Sequence, residues 1–169
     1  IRQVDPVDTG RVYRDFHWGD LLDLIMIDTR VEGRMQQVED LDSLDELNDT
    51  NRTLLGQEQF DWLSDKLLNS TAQWKILGNQ VMMLPLLIGG DPINNDQWDG
   101  YPAERQKLFD LLKDSSINNV VVITGDFHRG GASNLPHDVN TYNDTTAFGS
   151  IAVEFITPSV ASRNGNDPI

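Results

Sequence analysis

An Asp-x-His pair, Asp126 and His128, follows directly after a continuously apolar stretch that stops at Gly125. Such a pair projects a hard oxygen and an imidazole nitrogen into one small volume. That combination of ligands suits Zn, Fe or Mn better than Ca alone. A structural interpretation is equally compatible with this spacing, with Asp126 capping the turn and His128 stacking on it.

Two other predicted strand ends carry side chains that could bind phosphate or metal. Asn79 and Gln80 could supply an amide oxygen to a metal or donate to phosphate, although hydrogen bonding within a loop is the commoner use of such residues. Arg30 could hold a phosphate oxygen through its planar guanidinium. Taken alone, Asp28 is more simply interpreted as a turn cap, with Arg30 as its salt-bridge partner.

The location of these three positions at strand ends favours the metal and phosphate interpretation of each. In open sheets, ligands bind beyond the carboxyl ends of the strands. If the three strands lie side by side in one orientation, then Arg30, Gln80 and Asp126 converge on one rim of the sheet. The sequence therefore predicts a site for metal and phosphate at that rim.

Other catalytic chemistries lack their signatures in this sequence. There is no Gly-x-Ser-x-Gly elbow, phosphate-binding loop or dinucleotide glycine motif. The chain has no cysteine, which excludes thiolate ligands and Cys nucleophiles within it. His17 and His137 lack a second ligand at suitable spacing and are predicted to be structural or solvated. Beside a turn that starts a helix, Trp98 and Tyr101 could wall a pocket, but packing over the sheet edge is the favoured prediction.

The elements that must position these residues are short strands and amphipathic helices. Four apolar runs that end at Gly, Pro or polar residues are predicted strands, at 22–27, 74–77, 120–124 and 151–156. Residues 57–68 and 102–114 are predicted helices, the first with Phe60, Leu63, Leu67 and Leu68 on its apolar face. This order predicts an α/β (α+β) layered sheet. A sheet of only four strands would be small, which indicates that part of the domain is missing.

The charge of the chain limits its partners. It carries 27 acidic against 13 basic residues, a net charge of −14. Nucleic acid is therefore not expected as a partner, because phosphate backbones are bound by clusters of Lys and Arg.

No stretch reaches the ~20 apolar residues of a membrane span. The acidic segment 31–51 is predicted to be a solvated loop or a weak amphipathic turn rather than a cation site, and the polar stretch 161–169 an incomplete end.

Five motifs in order over nearly the whole chain resemble the PhoD-like alkaline phosphatases (alkaline phosphatase D family), which belong to the calcineurin-like metallophosphoesterases. They are LDLIMIDTR (22–30), LLGQEQFDWL (54–63), WKILGNQVMM (74–83), WDGYPAER (98–105) and TGDFH (124–128). The resemblance implies an αββα sandwich of mixed sheets flanked by helices. It also implies an exported, periplasmic or extracellular enzyme, although no signal peptide is visible.

The resemblance further implies a mechanism and a ligand set. Members hydrolyse phosphate monoesters and diesters with a metal-activated hydroxide or oxo nucleophile, often at iron with calcium; zinc and manganese are alternatives. By resemblance, Asp126 and His128 match the last metal-ligand motif. Gln80 falls where relatives place a metal-binding His, and Arg30 is the candidate phosphate contact.

The family's early metal-binding motifs lie upstream of where this chain begins. The chain starts at Ile1, without Met, which suggests a fragment or a processed product. Residues 1–169 are thus expected to be the C-terminal part of a phosphatase domain, inactive without the N-terminal half as its partner. The alternative is a non-catalytic domain that kept the fold and binds a partner or carbohydrate. A calcium-binding module at 39–49 ranks last, since EF-hand spacing is absent there.

Overall fold

The computed structural model describes residues 10–39, 44–88 and 91–158. Its strands are β1 (Arg14–Trp18), β2 (Leu22–Met26), β3 (Trp74–Asn79), β4 (Leu87–Ile88), β5 (Asp91–Pro92), β6 (Val120–Thr124), β7 (Gly131–Pro136) and β8 (Ser150–Ile156). Its helices are α1 (Leu44–Leu47), α2 (Gly56–Asn69) and α3 (Pro102–Asp114), with a 3-10 turn at Trp98–Gly100. Within these residues, no helix has the length and apolar character that a bilayer crossing requires.

Six of the described strands form one mixed sheet in the order β1-β2-β3-β6-β8-β7. The four central strands run parallel, and β1 and β7 pair antiparallel at the two edges. Strands β4 and β5 form a separate two-stranded ribbon. The predicted α/β class is confirmed, and all four predicted strands and both predicted helices are present.

The sheet is larger than the four strands that the sequence predicts. Strand β1 is polar or charged at three of five positions, and β7 is mostly small and polar with a proline at its end. Neither shows the apolar pattern on which strand prediction depends. Both are edge strands held by the backbone of one neighbour. The acidic segment 31–51 is largely irregular, with the single turn α1, and its residues 40–43 lie outside the described part.

One face of the sheet carries the core with α2 and α3. Leu77 and Val122 from the sheet pack with Leu63 of α2 and Leu108 of α3, and all four are fully buried. The prediction that Leu68 belongs to the apolar face of α2 is wrong, since it is 54% exposed. The buried polar residue Gln59 lies on that face instead.

The opposite face of the same sheet is also apolar. Register pairs place Ile123 beside Phe155 and Phe16 beside Leu24 on this face. The large side chains here are 39–51% exposed: Phe16, Trp18, Trp74, Ile123 and Phe155. We call these five residues the open sheet face. A soluble protein seldom leaves such a contiguous apolar surface in water unless another polypeptide covers it.

Gly33 and Gly56 touch where the loop after β2 meets the start of α2. Both have left-handed backbones, with φ of +74° and +75°, and a Cβ on Gly56 would lie 2.7 Å from the Cα of Gly33. A Cβ on Gly33 would overlap the carbonyl oxygen of Leu55. This close approach fixes the loop that carries Arg30.

We expect Gly33→Ala to lower the free energy of unfolding by clearly more than the ~1–2 kcal/mol that a left-handed backbone costs an L-residue. Gly19→Ala is the matched control, because Gly19 has φ +52° but no atom within 4 Å of its added Cβ. Urea unfolding of both variants measures the difference. Equal losses for the two variants would show that the Gly33–Gly56 contact contributes nothing beyond backbone strain.

Candidate functional site

The carboxyl ends of β2, β3 and β6 meet at one rim of the sheet. These strands are adjacent and parallel. The Nη2 of Arg30, after β2, donates to the Oδ2 of Asp126, after β6, over 2.9 Å. Gln80, after β3, accepts a hydrogen bond from the backbone N–H of Thr29, the residue before Arg30. The predicted convergence of Arg30, Gln80 and Asp126 is therefore present.

The backbone at the Asp-x-His pair is unusual. Asp126 has φ of +66° and His128 has φ of +59°, both in the left-handed region that residues other than glycine rarely occupy. Both side chains are exposed at the rim. Strained backbone of this kind persists where the surrounding structure imposes it, and it clusters at functional sites. The geometry thus supports a functional use of Asp126 and His128, and metal ligation by them stays a prediction.

The loop after β2 is fixed by its own aspartate. The carboxylate of Asp28 accepts the backbone N–H groups of Arg30 at 3.0 Å, Val31 at 3.1 Å and Glu32 at 2.7 Å. This confirms Asp28 as a turn cap. Its carboxylate is occupied by the backbone, so the Arg30 side chain pairs elsewhere.

A buried glutamine of α2 holds the same loop from below. Gln59 is 1% exposed. Its Oε1 accepts the N–H of Asp28 at 2.6 Å, and its Nε2 donates to the carbonyl of Asp28 at 2.8 Å. The side chain thus replaces the strand partner that the Asp28 backbone lacks beyond the end of β2. A polar residue on an otherwise apolar helix face was the sequence signal for this contact.

Arg30 lies between two carboxylates. Its Nη1 donates to Oδ1 of Asp96 at 2.7 Å, and its Nη2 donates to Asp126. Burial opposes the charge of Arg30, but the hydrogen bond and charge of Asp96, together with the charge of Asp126, outweigh it and raise its pKa. The side chain keeps 34% of its surface exposed at the rim, so it is a fixed cation that a solvent-borne anion can reach.

Gln80 uses its amide to join two strand ends. Its Oε1 accepts both the N–H and the hydroxyl of Thr29, at 2.8 and 2.9 Å, and its Nε2 donates to the carbonyl of Ile27 at 2.6 Å. Metal ligation by Gln80, which stays a prediction, would require the oxygen to release at least one of these donors. The contacts seen here make Gln80 a positioning group for the Arg30 loop.

A buried polar chain supports the rim from beneath. The indole N–H of Trp98 donates to Oδ1 of Asn79 at 3.2 Å, and Nδ2 of Asn79 donates to the hydroxyl of Thr124 at 3.1 Å. That hydroxyl donates to Oε1 of Glu154 at 2.6 Å. Thr124 directly precedes the Gly125-Asp126 turn. The chain therefore ties the ends of β3, β6 and β8 into one rigid base.

Glu154 completes this chain with a fully buried carboxylate. It is 0% exposed. Besides the Thr124 hydroxyl, it accepts the backbone N–H groups of Met83 and Leu84, each at 2.8 Å. Three donors compensate the carboxylate for its loss of water. They also fix the loop that follows β3.

The aromatic and histidine residues singled out by the sequence have structural surroundings. Trp98 and Tyr101 are both 0% exposed, which confirms that they pack in the core. His17 contacts the carboxylate of Asp23 across the β1–β2 pair. His137 contacts Oδ1 of Asp110 at 2.7 Å. Each histidine has one acidic partner rather than the ligand set of a metal.

The pairing of Asp96 with Arg34 and Arg30 was not predicted from the sequence. Asp96 lies in the irregular segment between β5 and the 3-10 turn, 66 positions from Arg30. Arg34 donates to Oδ1 of Asp96 at 2.7 Å and to the carbonyl of Thr29 at 2.9 Å. Local sequence patterns do not predict contacts between residues so far apart in the chain.

Among the described residues, the donor set of the rim is small. Asp126, His128 and Gln80 are its three side chains of predicted metal ligation. Within the part of the chain that the structure describes, no three or more His, Cys, Asp or Glu side chains are grouped so that they could hold an ion. A centre with two metals at this rim would therefore need ligands beyond these described residues.

Comparison with known proteins places these observations in a family. The model of the PhoD-like phosphatase family matches residues 1–168. Alkaline phosphatase D of Bacillus subtilis (strain 168) is 39% identical over 163 residues, covering 93% of this chain and 27% of that protein. The chain thus spans about a quarter of the length of this relative.

A solved structure of PhoD superposes on this chain with a TM-score of 0.77 and 35% identity. The match covers 88% of this chain and 29% of that chain. It confirms the predicted α/β fold and the resemblance read from the five motifs. The chain belongs to the PhoD-like phosphatase family.

Proposed function

We propose that the full-length protein is a metal-dependent phosphoesterase that hydrolyses phosphate monoesters and diesters, and that residues 1–169 are the C-terminal part of its domain. One observation carries the proposal: at the rim of adjacent parallel strands, an exposed arginine meets an Asp-x-His pair held in left-handed backbone. Fixed cations and metal ligands side by side are what phosphoryl chemistry uses.

Each rim residue has a proposed role. Asp126 and His128 would hold metal, most simply iron with calcium, while zinc and manganese also suit such donors. When bound, the metals would supply Lewis acidity at the phosphoryl group. Arg30 would bind a phosphate oxygen through its guanidinium. Gln80 would contribute its amide either to a metal or to the position of the Arg30 loop.

The catalytic unit is proposed to be incomplete in this chain. The described residues of the rim offer too few ligands for two metals, and the open sheet face leaves large apolar side chains half exposed. Both features support an upstream part of the same protein that covers this face and supplies the remaining ligands. The export of relatives, implied by resemblance, makes an extracellular or periplasmic location part of the proposal.

The test compares the full-length product of the gene with residues 1–169 alone. Bound metals are measured by elemental analysis, and turnover is measured with a chromogenic phosphate monoester and a diester in the presence of iron and calcium. We expect metal and turnover in the full-length protein and neither in the shorter chain. Turnover by residues 1–169 alone would contradict the incomplete site.

The second candidate is a non-catalytic binding domain with the same fold. The observation in its favour is the small ligand set of the described rim. A full-length protein that binds no metal and hydrolyses neither ester under these conditions would replace the phosphoesterase proposal with this one.

A further inference from the structure

Arg30 can serve a phosphate ester only if its guanidinium is held in one orientation. An exposed arginine side chain has many rotamers, and fixing it costs about 2 kcal/mol of entropy. In this structure the Nη1 edge is bound by Asp96 at 2.7 Å. The other edge, Nη2, points toward Asp126, the proposed metal ligand. The Nη1 edge therefore contacts a residue outside the proposed metal site, whereas the Nη2 edge faces that site.

Asp96 is itself held in place on its buried side. Arg34 donates from Nη2 to the same Oδ1 that accepts Arg30, at 2.7 Å, and to the Asp96 carbonyl at 3.1 Å. The N–H of Asp96 donates to Oδ1 of Asn94 at 3.0 Å. The Arg34 side chain is 12% exposed and lies over the ring of Tyr101 at 5.3 Å. Asp96 is thus held by contacts that do not involve Arg30.

The negative charge of Asp96 is balanced by a second arginine. Two arginines share one carboxylate oxygen of Asp96, and Arg30 also contacts Asp126, so the two arginines balance the two aspartates. Arg34 offsets the negative charge of Asp96, which would otherwise repel a phosphate next to Arg30. Asp96 can therefore orient Arg30 without making the site net negative.

We infer that Asp96, fixed by Arg34, is the positioning residue that aligns Arg30 toward the phosphate ester. The inference rests on the proposed function for its catalytic meaning. The Oδ1 of Asp96 accepts from both arginines, so its role is assigned to holding Arg30 rather than to metal ligation. It acts on the substrate only through Arg30.

A double-mutant cycle in the full-length protein tests the inference. We expect Asp96→Ala to lower kcat/KM for a phosphate monoester by roughly 10- to 100-fold, the scale of a misplaced binding group. In an Arg30→Ala background the same change should alter kcat/KM by less than about twofold, because the two residues act as one unit. Asp114→Ala, at the exposed end of α3, is the control of equal charge change.

Two further readouts separate this inference from its alternatives. Metal content should be unchanged in Asp96→Ala; metal lost in parallel with turnover would identify Asp96 as a ligand and overturn the inference. Equal effects of Asp96→Ala in both backgrounds would overturn it as well. Nitrogen-detected NMR of the Arg30 guanidinium should show restricted rotation that Asp96→Ala releases.

The NMR readout needs no turnover. If the wild-type protein hydrolyses no phosphate ester, the proposed function fails, yet the rotation of Arg30 still decides whether Asp96 positions it. Unchanged rotation in Asp96→Ala would overturn the inference even in an active enzyme.

Discussion

Asp126→Ala should lower kcat/KM for phosphate esters by about a thousandfold or more in the full-length protein. The proposed metal contributes several kcal/mol of charge stabilisation in the transition state, and each ~1.4 kcal/mol is a factor of ten in rate. Asp126 also contacts Arg30 at 2.9 Å, so its loss would remove one of the two carboxylates that hold the arginine. Elemental analysis should show less bound metal in the variant, in step with the loss of turnover.

Two companion variants make this result specific. Asp144→Ala removes the same charge from an exposed loop and should leave metal content and turnover unchanged. Asp126→Gly removes the carboxylate but suits the left-handed backbone, since glycine adopts φ of +66° without strain. We expect Asp126→Gly to be inactive while its free energy of unfolding is not lowered.

The Asp126→Gly result would show that this strained residue is kept for function rather than for stability. Retained metal and activity in Asp126→Gly would instead mean that the turn is purely structural.

Glu154→Leu should lower the free energy of unfolding by about 3–5 kcal/mol, the scale for breaking a buried charged network. The carboxylate is fully buried and accepts three hydrogen bonds, two from backbone N–H groups and one from Thr124. Leucine fills the space but leaves these donors without acceptors, at about 1–3 kcal/mol each. Urea unfolding followed by circular dichroism measures the change.

Glu154→Gln separates the charge from the shape. Its amide oxygen can still accept, but its NH₂ group would face a backbone N–H, so a smaller loss of stability is expected than for Glu154→Leu. Glu39→Gln, at an exposed position, is the matched control and should be near neutral. A Glu154→Leu variant as stable as wild type would mean that the network beneath the rim is dispensable.

The sequence predicted the central part of this fold because those strands are apolar at nearly every position. The run 120–124 is continuously apolar because Val120 and Val122 pack in the core on one face while Ile123 belongs to the apolar open sheet face on the other. Strands β1 and β7 were missed because edge strands need only a neighbour's backbone, and polar residues such as Arg14 and Asn134 serve as well there. Their existence is decided by pairing, not by their own residues.

The candidate site was predicted where it depends on strand ends and missed where it depends on distant contacts. Arg30, Gln80 and Asp126 follow strands of matching direction, so their convergence could be foreseen. Asp96 and Gln59 reach the rim from an irregular segment and a helix. The predicted Asp28–Arg30 salt bridge was wrong because backbone N–H groups occupy the Asp28 carboxylate first.

The open sheet face has a consequence for handling residues 1–169 as an isolated chain. Two forces act on it in opposite directions. A net charge of −14 makes the chains repel one another, whereas the apolar side chains on this face draw them together. Salt weakens the repulsion, since the Debye length falls from about 10 Å at 0.1 M to about 3 Å at 1 M, but it leaves the apolar attraction in place. We therefore expect the isolated chain to stay monodisperse at low ionic strength and to associate as salt is added.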